Sequence, residues 1–207
     1  QAHDAAVEAT LWAGCARTTL PISRRLKLAG GKVGWGPEPT GEVCTAVPIC
    51  LFREVGGLPI SLLFSVSCHP SLMSGHQISA EYPGVAMDLL DASLGRVASL
   101  FLQGAGGDAK PRVTAEIDAE PPRFRPGIWE YVRIAGTMVA DDVLHTLEAG
   151  LVPVEPDLKS CTLEMAWPME ALPDRATYEA VLADPDADRT RRLWAEEKLV
   201  LLSRGYR

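Results

Sequence analysis

The sequence has no uninterrupted apolar run of the roughly 20 residues needed to cross a bilayer. It has no cysteines at C-x-x-C spacing, and its cysteine count of five is odd. Neither a zinc ribbon nor a disulfide framework is therefore supported. Cys44 and Cys50 stand close enough to pair across a loop, but a lone cysteine is usually a small core residue. Basic excess is missing too. Twenty Lys and Arg face 27 Asp and Glu, a net charge of −7, whereas nucleic-acid binding wants a basic face. There is no internal repeat and no low-complexity tract. The G-x-S-x-G elbow of serine hydrolases and the G-x-x-x-x-G-K-[ST] phosphate loop are absent. What is present is ordinary globular composition, 47% hydrophobic and 23% charged in 207 residues, enough for a substantial core.

The N-terminal stretch "QAHDAAVEATLWAGCARTTL" lacks the charged start and apolar centre of a secretory signal. Its stripe of Ala6, Val7, Leu11 and Ala13 predicts a helix over residues 2–18. The glycine- and proline-rich 29–42 predicts loop. Residues 43–53 predict a strand, with Pro48 marking an edge or bulge. Residues 54–57 predict a hairpin connection. The next strand, 58–68, is the most informative. Leu58, Ile60, Leu62, Phe64, Val66 and Cys68 share one face, and Ser61, Leu63, Ser65, Ser67 and His69 share the other, as period-two geometry requires.

Further on, 83–94 predicts a helix with Pro83 in its first turn and Gly95 at its end. Residues 97–102 predict a short buried strand, 103–112 a glycine-rich turn, and 119–127 a connector. Apolar residues recurring about every fourth position predict a long helix over 128–149. A strand is expected over 158–169 and helices over 174–183 and 188–203. The interleaving predicts an α/β (α+β) fold, a mixed sheet flanked by helices, with residues 1–207 as a single domain. The expected core includes Leu62, Phe64, Val66, Leu100, Leu102, Val139 and Leu147.

Two loops carry the candidate chemistry. His69 sits where the 58–68 strand surfaces. A neutral imidazole there serves as a metal ligand or general base, and a buried histidine bonded to a backbone carbonyl fits the position as well. His76, seven residues on, has no recognised metal spacing to it. The second loop, "QGAGGDAKPR", follows the 97–102 strand. Its backbone amides at Gly104, Gly106 and Gly107 can face a ligand, Asp108 can orient a histidine or the turn, and Lys110 can meet an anion. A tight turn capped by aspartate explains the same residues. If the two strands are parallel neighbours, His69 and Asp108 emerge at one sheet edge, where open α/β sheets place ligands.

"CHPSLMSGHQISAEYPGVAMDLL" followed by "ASLFLQGAGGDAKPR" resembles the neutral/alkaline non-lysosomal ceramidase family, especially its bacterial ceramidase-like members. There a His-Pro triplet ends a strand, Ile-Ser-Ala-Asp-Tyr-Pro-Gly leads into a helix, and a second strand runs into Phe-Leu-Gln-Gly-Ala-Ala-Gly-Asp. The resemblance implies a zinc-dependent amidase of lipid metabolism acting on a lipid or small-molecule N-acyl amide. It implies His69 as a zinc ligand, Asp108 and Lys110 at catalytic positions, and Gly106, Gly107 and Ser79 against substrate. It also implies that this chain matches the middle of a catalytic domain. The upstream Thr-His-Thr-His-Ser-type motif and the more C-terminal Glu and Tyr ligands have no counterpart here, His3 standing in the wrong context. Lys110 occupies the position of a serine in true ceramidases, and Glu81 that of an aspartate. A non-catalytic relative with an incomplete metal site is the alternative expectation. A metal-independent hydrolase pairing Ser71 or Ser79 with His69 is a third. The sequence leaves the compartment open between secreted and cytoplasmic, and the oligomeric state open as well.

Overall fold

The computed structural model describes residues 4, 6–74, 76–95, 97–167 and 171–206. The chain divides into two compact units, residues 1–157 and 158–207. Unit one contains strands β1 (Ala9–Arg17), β2 (Pro21–Lys27), β3 (Val33–Glu38), β4 (Ala46–Glu54) and β5 (Pro59–Val66). Helix α1 (Glu81–Ser93) follows, then β6 (Ala98–Gln103), β7 (Ala109–Pro111), β8 (Ala115–Glu116) and β9 (Arg123–Phe124). Helix α2 (Trp129–Ala149) and β10 (Val152–Val154) complete it.

Its main sheet has the order β10-β1-β4-β5-β6. All neighbours are antiparallel except β5 and β6, which run parallel with Leu62 beside Ser99 and Phe64 beside Phe101. The mixed sheet flanked by helices is thus present. A parallel pair needs a crossover connection, and α1 is that crossover. The inward faces of β1, β4 and β5 meet α1 and α2 in one core, built on Val47, Ile49, Leu51, Leu62, Phe64, Val66, Leu90, Val139 and Val143. Phe101 packs edge-on against both Phe64 and Tyr82, with ring centroids 5.8 and 6.1 Å apart. Gly136 lets the helices approach, because a Cβ there would lie 2.9 Å from the Tyr82 carbonyl oxygen. A second sheet, β3-β2-β7, stands beside the loops of interest.

Several sequence expectations are corrected. Ala9–Arg17 is a strand, not part of a helix, and it pairs with β4 over nine positions. Helix propensity of alanine yields here to pairing on both sides, and Trp12, Gly14 and Ala16 show the alternation in register with Leu51, Ile49 and Val47. The remainder of the predicted helix at residues 2, 3 and 5 lies outside the described residues, as does His3. The glycine-rich 29–42 contains β3, held by β2. Leu100 and Leu102 are not core. They are about half exposed, because only the alternate residues Ser99, Phe101 and Gln103 turn toward the helices. Leu147 is part-buried against the core. Pro48 pairs with Cys15, but β5 joins β4 only from Ile49 onward, so its missing N–H interrupts no two-sided ladder.

Unit two contains α3 (Arg175–Ala183) and α4 (Arg189–Ser203). Each starts on an aspartate whose carboxylate accepts a backbone N–H three residues on, Asp174 from Thr177 at 2.9 Å and Asp188 from Arg191 at 2.8 Å. Tyr178 packs on Trp194 between them, with centroids 5.0 Å apart. The strand expected over 158–169 is absent among the described residues, and 168 and 169 lie outside them.

Candidate active site

The parallel pair delivers two loops to one end of the sheet. Val66 and Gln103 are the last paired positions, and the chains beyond them remain in contact. Gly104 N–H donates to the Val66 carbonyl at 3.0 Å, and His69 N–H to the Ala109 carbonyl at 3.3 Å. The glycines are needed for this approach. A Cβ on Gly106 would sit 2.7 Å from the Cys68 nitrogen, closer than real packing allows. Tyr82, buried on α1, donates its hydroxyl to the Cys68 carbonyl at 2.7 Å and fixes the strand end from below.

His69 is half-buried and its Nδ1 lies 2.7 Å from the Gly106 carbonyl oxygen. A carbonyl only accepts, so Nδ1 carries the proton. The Nε2 lone pair is left as the ring's basic site. A histidine oriented this way through its far nitrogen is the usual preparation of a metal ligand or general base.

Lys110 reaches the same loop. Its ammonium donates to the Ser71 carbonyl and stands 3.4 Å from the Ser71 hydroxyl. Burial pushes its pKa down, and nearby Arg24 does so slightly, while Glu81 and Cys68 pull it back up. Burial likewise drives the Cys68 thiol up to about 12, which makes it an inert packing group rather than a nucleophile.

Two further residues join the site: Glu81, which by the resemblance stands at the position of the family aspartate, and Arg24, for which the sequence predicts no role. The Glu81 carboxylate accepts the backbone N–H groups of Leu72 and Met73 at 2.9 and 2.7 Å, and its own N–H donates to the Ser79 hydroxyl at 2.9 Å. It holds this position with φ of +49°, a conformation a non-glycine residue rarely adopts. The hint was visible in its position one residue before Tyr82-Pro83, at the mouth of a predicted helix. Arg24 left no local signal. It comes from β2, donates from Nη2 to the Gly107 carbonyl at 2.6 Å, and stacks on Trp35 at 4.9 Å.

Asp108 joins through its backbone, whose carbonyl accepts from Arg24 N–H at 2.8 Å. Its carboxylate is exposed and has no partner among the described residues. Gly107 is exposed, whereas Gly106 is buried between the loops. Ser79 and His76 line an open depression of about 380 Å³ with Met73, Glu81 and Trp129. His69 therefore meets Gly106 directly, while Lys110, Glu81 and Ser79 surround the polar loop that follows it. Among the described residues no three His, Cys, Asp or Glu side chains converge to hold a metal ion. His69 offers one oriented ring nitrogen, and among the described residues no further ligand set converges with it. No helix among the described residues is long and apolar enough to cross a membrane.

No known family profile matches the sequence, and no curated protein matches it. Solved structures do. The crystal structure of neutral ceramidase from Pseudomonas aeruginosa superposes with a TM-score of 0.55 at 14% identity, over 73% of this chain and 24% of that one. A ceramidase complexed with C2 superposes with the same TM-score at 15% identity and the same coverage. The chain thus spans about a quarter of the length of these structures, and what it has in common with them is a ceramidase-like fold.

Proposed function

We propose that this chain contributes to the hydrolysis of an N-acyl amide, with His69 supplying one ligand to a catalytic zinc ion. The observation that carries the reading is the 2.7 Å contact of His69 Nδ1 with the Gly106 carbonyl, which leaves Nε2 available at the end of a parallel strand pair. The ceramidase-like fold supports a lipid amide as substrate. Zinc, when bound, supplies a Lewis acid and a water acidified to a pKa near 7. The chain's own residues do the positioning. Gly106 fixes the imidazole, Glu81 fastens the loop after it, and Lys110 places a cation beside Ser71. Gly107, Asp108 and Ser79 are the exposed polar positions left to face substrate.

The test is hydrolysis of a panel of N-acyl amides, with and without a chelator, using His69→Ala and His76→Ala. Chelator-sensitive turnover lost in His69→Ala and kept in His76→Ala is the expected result. Turnover that survives chelation removes zinc from the reading and favours serine chemistry at Ser71 or Ser79. A non-catalytic binding or structural role is the second reading, favoured by the lack of a converged three-residue ligand set among the described residues. Absence of turnover together with absence of zinc in the purified protein would establish it.

A further inference from the structure

The two faces of the five-stranded sheet are treated differently. The helices α1 and α2 cover one. The other follows from the register. Leu11 stands opposite Phe52, Leu63 lies beside Leu100, and Ala13 stands opposite Val152. This second face is mostly apolar, broken by Ser61 and Ser65 on β5, and Leu100, Leu102 and Val152 on its two edge strands are 53%, 51% and 68% exposed. Three of the sheet's four strand pairings are antiparallel, and a solvated face of such a sheet is normally polar, so an apolar patch here marks an interaction surface.

We propose that a second copy of this chain covers the face, sheet against sheet. The charges favour a self-complementary partner. On the β1 and β4 positions of this face the charged side chains are Arg17 and Glu54, at opposite ends of β1 and both exposed. A twofold axis in the plane of the layer runs β1 antiparallel to its copy across the interface. It sets Arg17 of each protomer toward Glu54 of its partner and leaves only apolar and small polar groups between. The area is adequate. Five strands about 4.8 Å apart and roughly 20 Å long give a footprint of about 500 Å² per copy. Counted on both partners, that reaches the ~1,000 Å² needed for a specific interface.

Sedimentation equilibrium of the 207-residue chain tests this, together with alkylation of Cys15, an exposed cysteine on this face. A dimer is expected, with Cys15 losing reactivity as protein concentration rises while exposed Cys44, ahead of β4, does not. Leu100→Lys, which puts a charge into the apolar contact on edge strand β6, should weaken dimerisation by roughly 10-fold or more. Arg17→Glu should weaken it less, and adding Glu54→Arg should restore it. The alkylation arm needs no substitution, so it stands even if Leu100→Lys folds poorly. A monomer at about 100 μM, binding of that monomer to lipid vesicles, or a dimer whose Cys15 stays fully reactive would each overturn the proposal.

Discussion

Residues 59–66 and 158–167 carry similar alternations and take different conformations. In the first, Leu62, Phe64 and Val66 alternate with Leu63 and Ser65. In the second, Cys161, Leu163, Met165 and Trp167 alternate with Thr162, Glu164 and Ala166. The first is β5, hydrogen-bonded to β4 on one side and β6 on the other, with its inner residues buried. The second forms no ladder among the described residues, and Leu163, Met165 and Trp167 are exposed. Alternation states that a segment suits a strand. It does not supply the neighbour whose N–H and C=O groups make one.

The largest expected difference lies in truncation of the two apolar sets. Phe64→Ala empties a buried site beside Phe101 and should cost about 3–5 kcal/mol in urea unfolding. Leu163→Ala removes an exposed side chain and should stay within about 0.5 kcal/mol. A comparable cost at both sites would show that 158–167 is packed in solution and would break the contrast.

The end of β5 sharpens it further. Gly106→Ala drives a methyl into the Cys68 backbone and should cost about 1–3 kcal/mol, as overpacking does. Gly107→Ala meets nothing within 4 Å and should be nearly neutral. The distinguishing readout is the imidazole. Gly106→Ala should change the His69 tautomer balance seen by nitrogen NMR, because the Gly106 carbonyl holds Nδ1. An unchanged His69 spectrum would mean that the loops do not depend on close backbone contact.

These contrasts explain what the sequence made legible. Strands at β5 and β6 and helices α1 and α2 follow from local signals of period, capping and chain breaking, whereas the meeting of the His69 loop with the glycine turn is expected only if β5 and β6 are parallel neighbours, which their pairing supplies. β1 does not. Its alanines and its Val7–Leu11 spacing read as helix, and only pairing with β4 and β10, distant in sequence, makes it a strand. Leu100 and Leu102 were placed in the core because an apolar run shows no inside or outside until its neighbour's register is known. Arg24 was invisible for the same reason. It reaches Gly107 across 83 residues. Glu81 lay within reach of sequence reasoning, since an acidic residue at a helix start commonly captures backbone N–H groups.

Glu81→Gln removes the charge from an acceptor of two backbone N–H groups and should cost about 1–2 kcal/mol. Amide exchange at Leu72 and Met73 should quicken while that of Leu62 stays slow. Equal acceleration throughout would mean global destabilisation and would remove Glu81 as a fastener of the loop.

The smallest effect expected near neutral pH separates the cysteines of the two segments. Cys161 is exposed and should react with a thiol reagent in the native state, whereas Cys68 is buried and should react only on opening. The Cys68 thiol is raised from its ordinary 9.0 to about 12, first by burial, with Lys110 opposing and Glu81 adding. A thiol raised in this way stays protonated in the folded chain while the unfolded chain ionises. The folded state then binds more protons, so its stability is intact below pH 9 and falls as pH rises from 9 toward 12. Tyr82, also raised by burial, adds to the fall above pH 10. Cys68→Ala should therefore lower stability at pH 7.5 through lost packing yet flatten its decline between pH 9 and 10, by at most about 1.4 kcal/mol over that unit. Parallel pH profiles for Cys68→Ala and the unsubstituted chain would place the ionising group elsewhere and leave the end of β5 as open to water as residues 158–167.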